Sequence, residues 1–264
     1  MKYRRFGKTE IAMPVISCGG MRFQESWKSG DPVSEKSQRN LEATIERALE
    51  LGINHFETAR GYGTSEFQLG KILPRLPREE IVVQTKVGPE PEVKKFQDTF
   101  EESMGLLNLE HIDLLAFHGV NNEEGIDHVH RCLDAALEYK AQGRTRFLGF
   151  STHAPLDVIL KTLELGVFDY VNLHWYYIFQ DNWPAIMEAR RQDMGVFIIS
   201  PNEKGGLLFK SSEKLTQLTD PFHPMTFNGL FCLSRPEVHT LSCGASCPED
   251  FDIHSKTADK SEDA

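Results

Sequence analysis

A chain of 264 residues with 40% hydrophobic composition has the apolar material for one large core. Its net charge of -10, with acidic residues spread along the chain, argues against a nucleic-acid partner, which needs clustered lysine and arginine. No apolar run approaches the roughly twenty residues of a membrane span. The N-terminal stretch lacks the apolar core of a signal peptide, and five irregularly spaced cysteines point to reduced thiols, so a cytoplasmic protein with no membrane partner is expected.

In chain order, strands and helices alternate. Pro14 to Gly20 reads as a strand, and Leu41, Ile45, Ala48 and Leu49 are spaced for one buried helix face. After the Leu51-Gly52 break, Ile53 to Phe56 forms a second strand that Glu57 closes, and Arg60-Gly61-Tyr62-Gly63 is too glycine-rich to continue strand or helix. Thr64 or Ser65 is placed to cap a helix that starts near Glu66 and ends at Pro74 and Pro77. Ile81 to Lys86, Ile112 to His118, Arg146 to Thr152, Tyr170 to His174, Val196 to Ser200 and Val238 to Cys243 are six further strands. Helical spacing separates them at Phe96 to Leu107, Val129 to Leu137, Leu156 to Leu165 and Pro184 to Arg191, with another helix at about Phe227 to Ser234 after an irregular stretch from Asn202.

Eight near-continuously apolar strands, buried on both faces, predict a parallel (β/α)8 TIM barrel with a short or incomplete last helix. Residues 1–254 are expected to form that domain, and 255–264 a polar, frayed tail. Glu57, Lys86, His118, Ser151, Asn172, Ser200 and Gly244 each fall at a carboxyl end, the rim where such a barrel gathers its site.

The chemistry follows from Glu57, Tyr62, Lys86 and His118, which successive units bring together. A tyrosine, with an ordinary pKa of about 10, is a weak acid at neutral pH. A lysine beside it stabilises the phenolate and lowers that pKa, and a carboxylate keeps the lysine charged. Tyr62 then donates a proton to a carbonyl oxygen that His118 orients by a hydrogen bond, while hydride comes from a nicotinamide.

The runs FETARGYGTSEFQLG, TKVG, HIDLLAFHG and FLGFSTH resemble the aldo-keto reductases, in particular a bacterial-type branch, although the sequence is short at its C-terminal end. The family pattern is an aspartate at a strand end, a tyrosine five residues on, then a lysine and a histidine; here Glu57 replaces the aspartate. The resemblance implies a barrel that reduces a small-molecule carbonyl with NADPH or NADH, with Glu57, Tyr62, Lys86 and His118 catalytic. It assigns Gly20, Met21, Ser151, Thr152, Asn172, Ser200, Asn202, Lys204, Gly206 and Gly244 to the cofactor, with Ile199 at the position of the usual nicotinamide-stacking aromatic. Asp250 and Asp252 stand where basic residues usually grip the adenosine, which favours NADH unless Lys204 or Lys210 folds over. Trp27, Arg60, Trp175 and Tyr176 are candidates for the substrate pocket.

Two other readings are weighed against this one. The first is a cofactor-binding or regulatory barrel with little turnover. The second is a metal-dependent hydrolase using His118, His153 and His174, disfavoured because Lys86 nearby repels a cation, so no metal is expected.

Overall fold

The computed structural model describes residues 1–203 and 206–260. An antiparallel hairpin, β1 (Tyr3–Arg5) and β2 (Ala12–Pro14), precedes the barrel. The barrel strands are β3 (Ile16–Gly19), β4 (His55–Glu57), β5 (Val82–Val87), β6 (Ile112–Phe117), β7 (Thr145–Ser151), β8 (Tyr170–Leu173), β9 (Gly195–Ile198) and β10 (Thr240–Gly244). They are parallel neighbours in that order, and β10 closes on β3 with Cys243 beside Cys18. The helices are α1 (Glu35–Glu50), α2 (Ser65–Leu69), α3 (Val93–Leu107), α4 (Glu123–Ala141), α5 (Leu156–Glu164), α6 (Trp183–Arg191), α7 (Glu213–Thr219), α8 (Pro224–Leu233) and α9 (Asp250–Lys260). Polar N-caps start α1, α4 and α7: the Ser34 hydroxyl accepts from the Ser37 amide, Asn122 Oδ1 from Gly125, and the Ser212 hydroxyl from Leu215.

Because side chains alternate along a strand, each strand gives one set to the helices and the other to the barrel interior. Val83 and Val87 join the outer core with Phe96 and Phe100 of α3. Val82 joins Leu114, Ala116, Tyr170 and Phe197 in a separate interior cluster, which Phe6, Ile11 and Met13 of the hairpin region complete. Gly149 makes room for this packing, since a Cβ there would lie 2.5 Å from the Tyr170 ring. Above the apolar floor, the Ser17 hydroxyl bridges His55 Nδ1 and the Thr240 hydroxyl, both at 2.7 Å. The next inward positions are Glu57 and Ser242, and beside them Lys86 of β5.

The structure departs from the sequence reading at both ends. The hairpin was not anticipated, because each of its strands has three residues and no periodicity to recognise. The last helix is neither short nor barely started: α9 runs eleven residues to Lys260 and buries Phe251, His254, Thr257 and Ala258. Residues 255–260 are therefore helix rather than frayed tail. Those four positions share one face, but two are not strongly apolar, so composition concealed the amphipathic pattern. The irregular stretch likewise holds α7, and α8 begins at Pro224 rather than Phe227. Thr64 does not cap α2 through its side chain; its hydroxyl donates to Gln68 Oε1 at 2.8 Å instead.

Candidate active site

Glu57 ends β4 with the same parity as the interior His55, and Lys86, one residue before the end of β5, has the parity of Val82 and Gln84. Both side chains therefore point into the barrel interior, where Glu57 lines a cleft at the carboxyl rim and Lys86 lies beneath it. Lys86 Nζ is in contact with Glu57 Oε1, donates to the Thr58 carbonyl at 2.9 Å and lies 3.2 Å from the Tyr62 hydroxyl. Glu57 Oε2 accepts from the Ser242 hydroxyl at 3.0 Å. Tyr62 is carried by the loop after β4, and its ring stands edge-on to His118 with centroids 5.7 Å apart. Lys86 and Glu57 are 1% and 2% exposed, so the ion pair is formed out of contact with bulk water.

Burial sets the protonation of this group. It pushes the Tyr62 phenol up to about 12, so the expected depression by Lys86 is outweighed and Tyr62 is a neutral donor at neutral pH. Burial also draws Lys86 below the ordinary lysine value, while the Glu57 carboxylate in contact with it favours the ammonium. His118 is lowered to about 3 by burial, then by the charge of Lys86 and by His153. It is a neutral imidazole that can donate one hydrogen bond but cannot act as an acid near pH 7.

The cleft has a volume of about 150 Å³, below the ~300–1,000 Å³ typical of sites for drug-sized ligands. Glu57, Tyr62 and His118 line it, with Met21, Ser200, Asn202, Gly206 and Gly244 among the expected cofactor residues, and Ile199. Ser200 holds a left-handed conformation at φ 52°, uncommon outside glycine, at the turn where β9 gives way to the cleft wall. Asn172 is fully buried one residue before the end of β8 and does not line the cleft, and neither Nδ2 nor Oδ1 of its amide has a partner. An interior donor and acceptor left open together match a carboxamide.

Other expected residues are placed elsewhere. Gly20 packs behind the rim, its amide donating to the Glu57 carbonyl at 2.7 Å. The Ser151 hydroxyl accepts from the Gly119 amide at 3.1 Å, and Thr152, of opposite parity, donates to the Val120 carbonyl at 2.7 Å. Lys204 lies outside the described residues. Lys210 ends a 3-10 turn at Leu207–Lys210 and does not line the cleft. Trp27 is a surface side chain. Arg60 pairs with Glu102, donates to Ser29 Oγ at 2.9 Å and approaches the buried Glu66 at 3.8 Å, away from the cleft. Trp175 is buried against Phe231 and Trp183, with ring centroids at 4.8 and 5.1 Å, and Tyr176 faces a separate groove beside Tyr177 and Phe227. Sequence reasoning missed Arg22, Ser242 and Phe209, all of which line the cleft. Arg22 was legible as a cation two residues beyond the Gly19-Gly20 strand end, and Ser242 by its parity with Gly244. His153 lines the cleft too, with its Nδ1 2.6 Å from His174 Nε2; among the described residues no three His, Cys, Asp or Glu side chains are placed to hold a metal ion.

A closed parallel barrel with an acid–base cluster at its carboxyl rim has the architecture of a barrel enzyme. The sequence profile of the Aldo/keto reductase family matches residues 15–226, and the chain belongs to that family. It is 28% identical over 212 residues to an L-galactose dehydrogenase of Arabidopsis thaliana, covering 76% of this chain and 64% of that protein. It is 27% identical over 182 residues to an L-glyceraldehyde 3-phosphate reductase of Escherichia coli, covering 62% and 49%. The chain thus spans between about half and two thirds of the length of these relatives. Among solved structures, an aldo-keto reductase from Bacillus halodurans in its holo form superposes with a TM-score of 0.82 at 22% identity, over 97% of this chain and 90% of that one. An aldo-keto reductase from Klebsiella pneumoniae in complex with NADPH gives 0.76 at 18% identity, over 98% and 89%. These two likenesses establish the fold.

Proposed function

We propose that this chain is an NAD(P)H-dependent oxidoreductase that reduces an aldehyde or ketone to an alcohol. The observation that carries the reading is Lys86 Nζ in contact with Glu57 and 3.2 Å from the Tyr62 hydroxyl, beside a neutral His118 in one cleft. The cofactor residues present fit a nicotinamide dinucleotide: Ser200, Asn202, Gly206 and Gly244 line the cleft, and Asn172, buried and outside the cleft lining, carries an amide with both polar atoms open. The bound nicotinamide supplies hydride to the carbonyl carbon.

The chain's own residues then handle the oxygen. His118 donates its N–H to the carbonyl oxygen and orients it, and the neutral Tyr62 gives that oxygen its proton as negative charge develops there. The resulting phenolate forms beside the Lys86 ammonium, which Glu57 and the Thr58 carbonyl hold in place, so charge moves between groups already positioned for it. Tyr62 is the donor rather than His118 because an imidazole titrating at about 3 carries no second proton to give.

The substrate is a small carbonyl compound rather than nucleic acid, a reading supported by the acidic balance of the chain. A reducing, cytoplasmic setting is supported by five unpaired cysteines, four of them buried. Among the described residues no helix is long and apolar enough to cross a membrane.

Turnover of a panel of aldehydes by wild type and Tyr62→Phe tests the reading. Loss of the proton donor is expected to lower kcat by about 10²- to 10⁴-fold while NADPH and NADH bind as before. Equal turnover by the two proteins would overturn the role of Tyr62. Cofactor binding without turnover in wild type would favour the regulatory barrel instead.

A further inference from the structure

Arg22 lies just beyond the end of β3, and its side chain passes over the end of the adjacent β10 to the segment that follows β9. Its guanidinium sits over the Phe209 ring, 4.1 Å from the centroid. Its stem crosses Gly244 so closely that a Cβ there would lie 3.0 Å from both Cγ and Cδ, and a Cβ at Gly206 would lie 3.2 Å from Nη1. The segments after β3, β9 and β10 are therefore bridged by one side chain. Two glycines and an aromatic ring hold the planar cation against the cleft wall, a geometry that suits arginine better than lysine.

This cation is incompletely paired. Nη1 is buried without a hydrogen-bond partner, and Nη2 is 3.9 Å from Asp250 Oδ2, beyond hydrogen-bond distance. Asp250 is already engaged, accepting from the amide and hydroxyl of Ser246 at 2.8 Å each. Asp252 turns away and pairs with Arg47 at 2.8 Å. Among the described residues lining the cleft, Arg22 is the one Lys or Arg side chain, against the carboxylates of Glu57 and Glu203. An anion entering this end of the cleft thus has one cation to meet, with an open N–H and a fixed plane.

We infer that Arg22 is the residue that grips the diphosphate of the nicotinamide dinucleotide and straps it under the loops that follow β9 and β10. The inference rests on the proposed NAD(P)H-dependent activity and adds the residue and the phosphate group it serves. It also revises the expected disadvantage of NADPH. The Asp252 carboxylate is paired with Arg47 outside the cleft, and a diphosphate contact is common to both cofactors.

Fluorescence titration with NADH and NADPH, and calorimetric titration with ADP-ribose, which carries the diphosphate without the nicotinamide, test it directly on the full chain. Arg22→Met is expected to raise the Kd of all three by a similar factor of about 10 to 100, the value of a charge-assisted hydrogen bond. Its ADP-ribose binding should depend less on added NaCl than that of wild type, a change that a merely structural role would not produce. Arg22→Lys, which keeps charge and stem, should recover part of the loss. Unchanged affinity in Arg22→Met, loss confined to NADPH, or loss in Lys204→Met with Arg22→Met at wild-type affinity would each overturn the assignment. Wild type that binds none of the three ligands would overturn the proposed activity along with it. Wild type that binds them as tightly as Arg22→Met does would remove only the role of Arg22.

Discussion

Replacing Lys86 by methionine keeps an unbranched side group of similar length in the barrel interior and removes only the ammonium. Glu57 is then left 2% exposed, with the Ser242 hydroxyl at 3.0 Å as its remaining side-chain partner. Breaking a buried ion pair from one side costs roughly 3–5 kcal/mol, because the surviving charge keeps its desolvation penalty without its counter-ion. Against a total stability of roughly 5–15 kcal/mol this is large enough to read by urea denaturation followed by far-UV circular dichroism at pH 7. The double variant Lys86→Met/Glu57→Gln removes the stranded charge and is expected to be about 2–3 kcal/mol more stable than Lys86→Met alone. Both variants should be inactive, so stability and turnover separate. The sign with pH is fixed too. Without Lys86 the folded-state pKa of Glu57 lies above its unfolded value, so this group's stabilising contribution is full below about pH 4.3 and is lost as pH rises through the folded value. The deficit of Lys86→Met relative to wild type must therefore narrow as pH falls from 7 towards 5. A double variant no more stable than the single one, or a deficit independent of pH, would refute the reasoning that burial of the Glu57 charge sets the cost.

The remaining predictions concern groups whose environments oppose stability or charge. Asn172→Leu replaces an amide with two open polar atoms by an apolar side chain of similar size, so it should raise stability by about 1–3 kcal/mol while weakening nicotinamide cofactors about tenfold; thermal unfolding and fluorescence titration check the two halves, and unchanged cofactor affinity would remove Asn172 from the site. Burial holds four histidines neutral, His55 and His118 at about 3 and His239 and His254 at about 4. Their folded values lie below the unfolded value of about 6.5, so their contribution is present above that pH and is lost on acidification, by up to ~1.4 kcal/mol per pH unit for each group. Cooperative unfolding between about pH 5 and 4 is expected by circular dichroism, and full stability at pH 4 would contradict it.

Much of the barrel was legible because strands buried on both faces leave unmistakable apolar runs. IVVQTK announces β5 and puts Lys86 one residue from its end, and the tyrosine loop follows a strand closed by Glu57. Parity was the unused part of the same signal. His174 continues the interior set of Tyr170 and Asn172, so Trp175 must face outward, and it packs on Phe231 instead of lining the cleft. The same rule turns Thr152 away while Ser151 stays with Gly149. The contacts of Arg22 were hidden for another reason. Its partners Phe209 and Gly244 are nearly two hundred residues or more along the sequence, and only closure of β10 on β3 brings them together. The hairpin and α9 were hidden by short length and by small or polar residues on the buried face, where local pattern carries little information.

A single ammonium explains why the interior is arranged in layers. Lys86 lies above the hydrogen-bonded layer of Ser17, His55 and Thr240 and beneath the cleft that holds Tyr62 and His118. After burial itself, its charge is among the causes that keep both His55, on the floor side, and His118, on the cleft side, in the neutral form. Burial and this charge together leave three neighbouring groups in complementary states: His118 is a neutral hydrogen-bond donor, Tyr62 is kept protonated by burial, and Glu57 is the counter-ion in contact with Lys86. A second cation at the position of His118 would have to form beside Lys86 in a water-poor interior, the least favourable arrangement of charge the site offers. In the proposed reaction the proton then comes from the phenol, whose conjugate base is a new charge that Lys86 stabilises. The proposed choice of proton donor thus follows from placing the charge near the end of a buried strand, and the loops are left to position what the cleft binds.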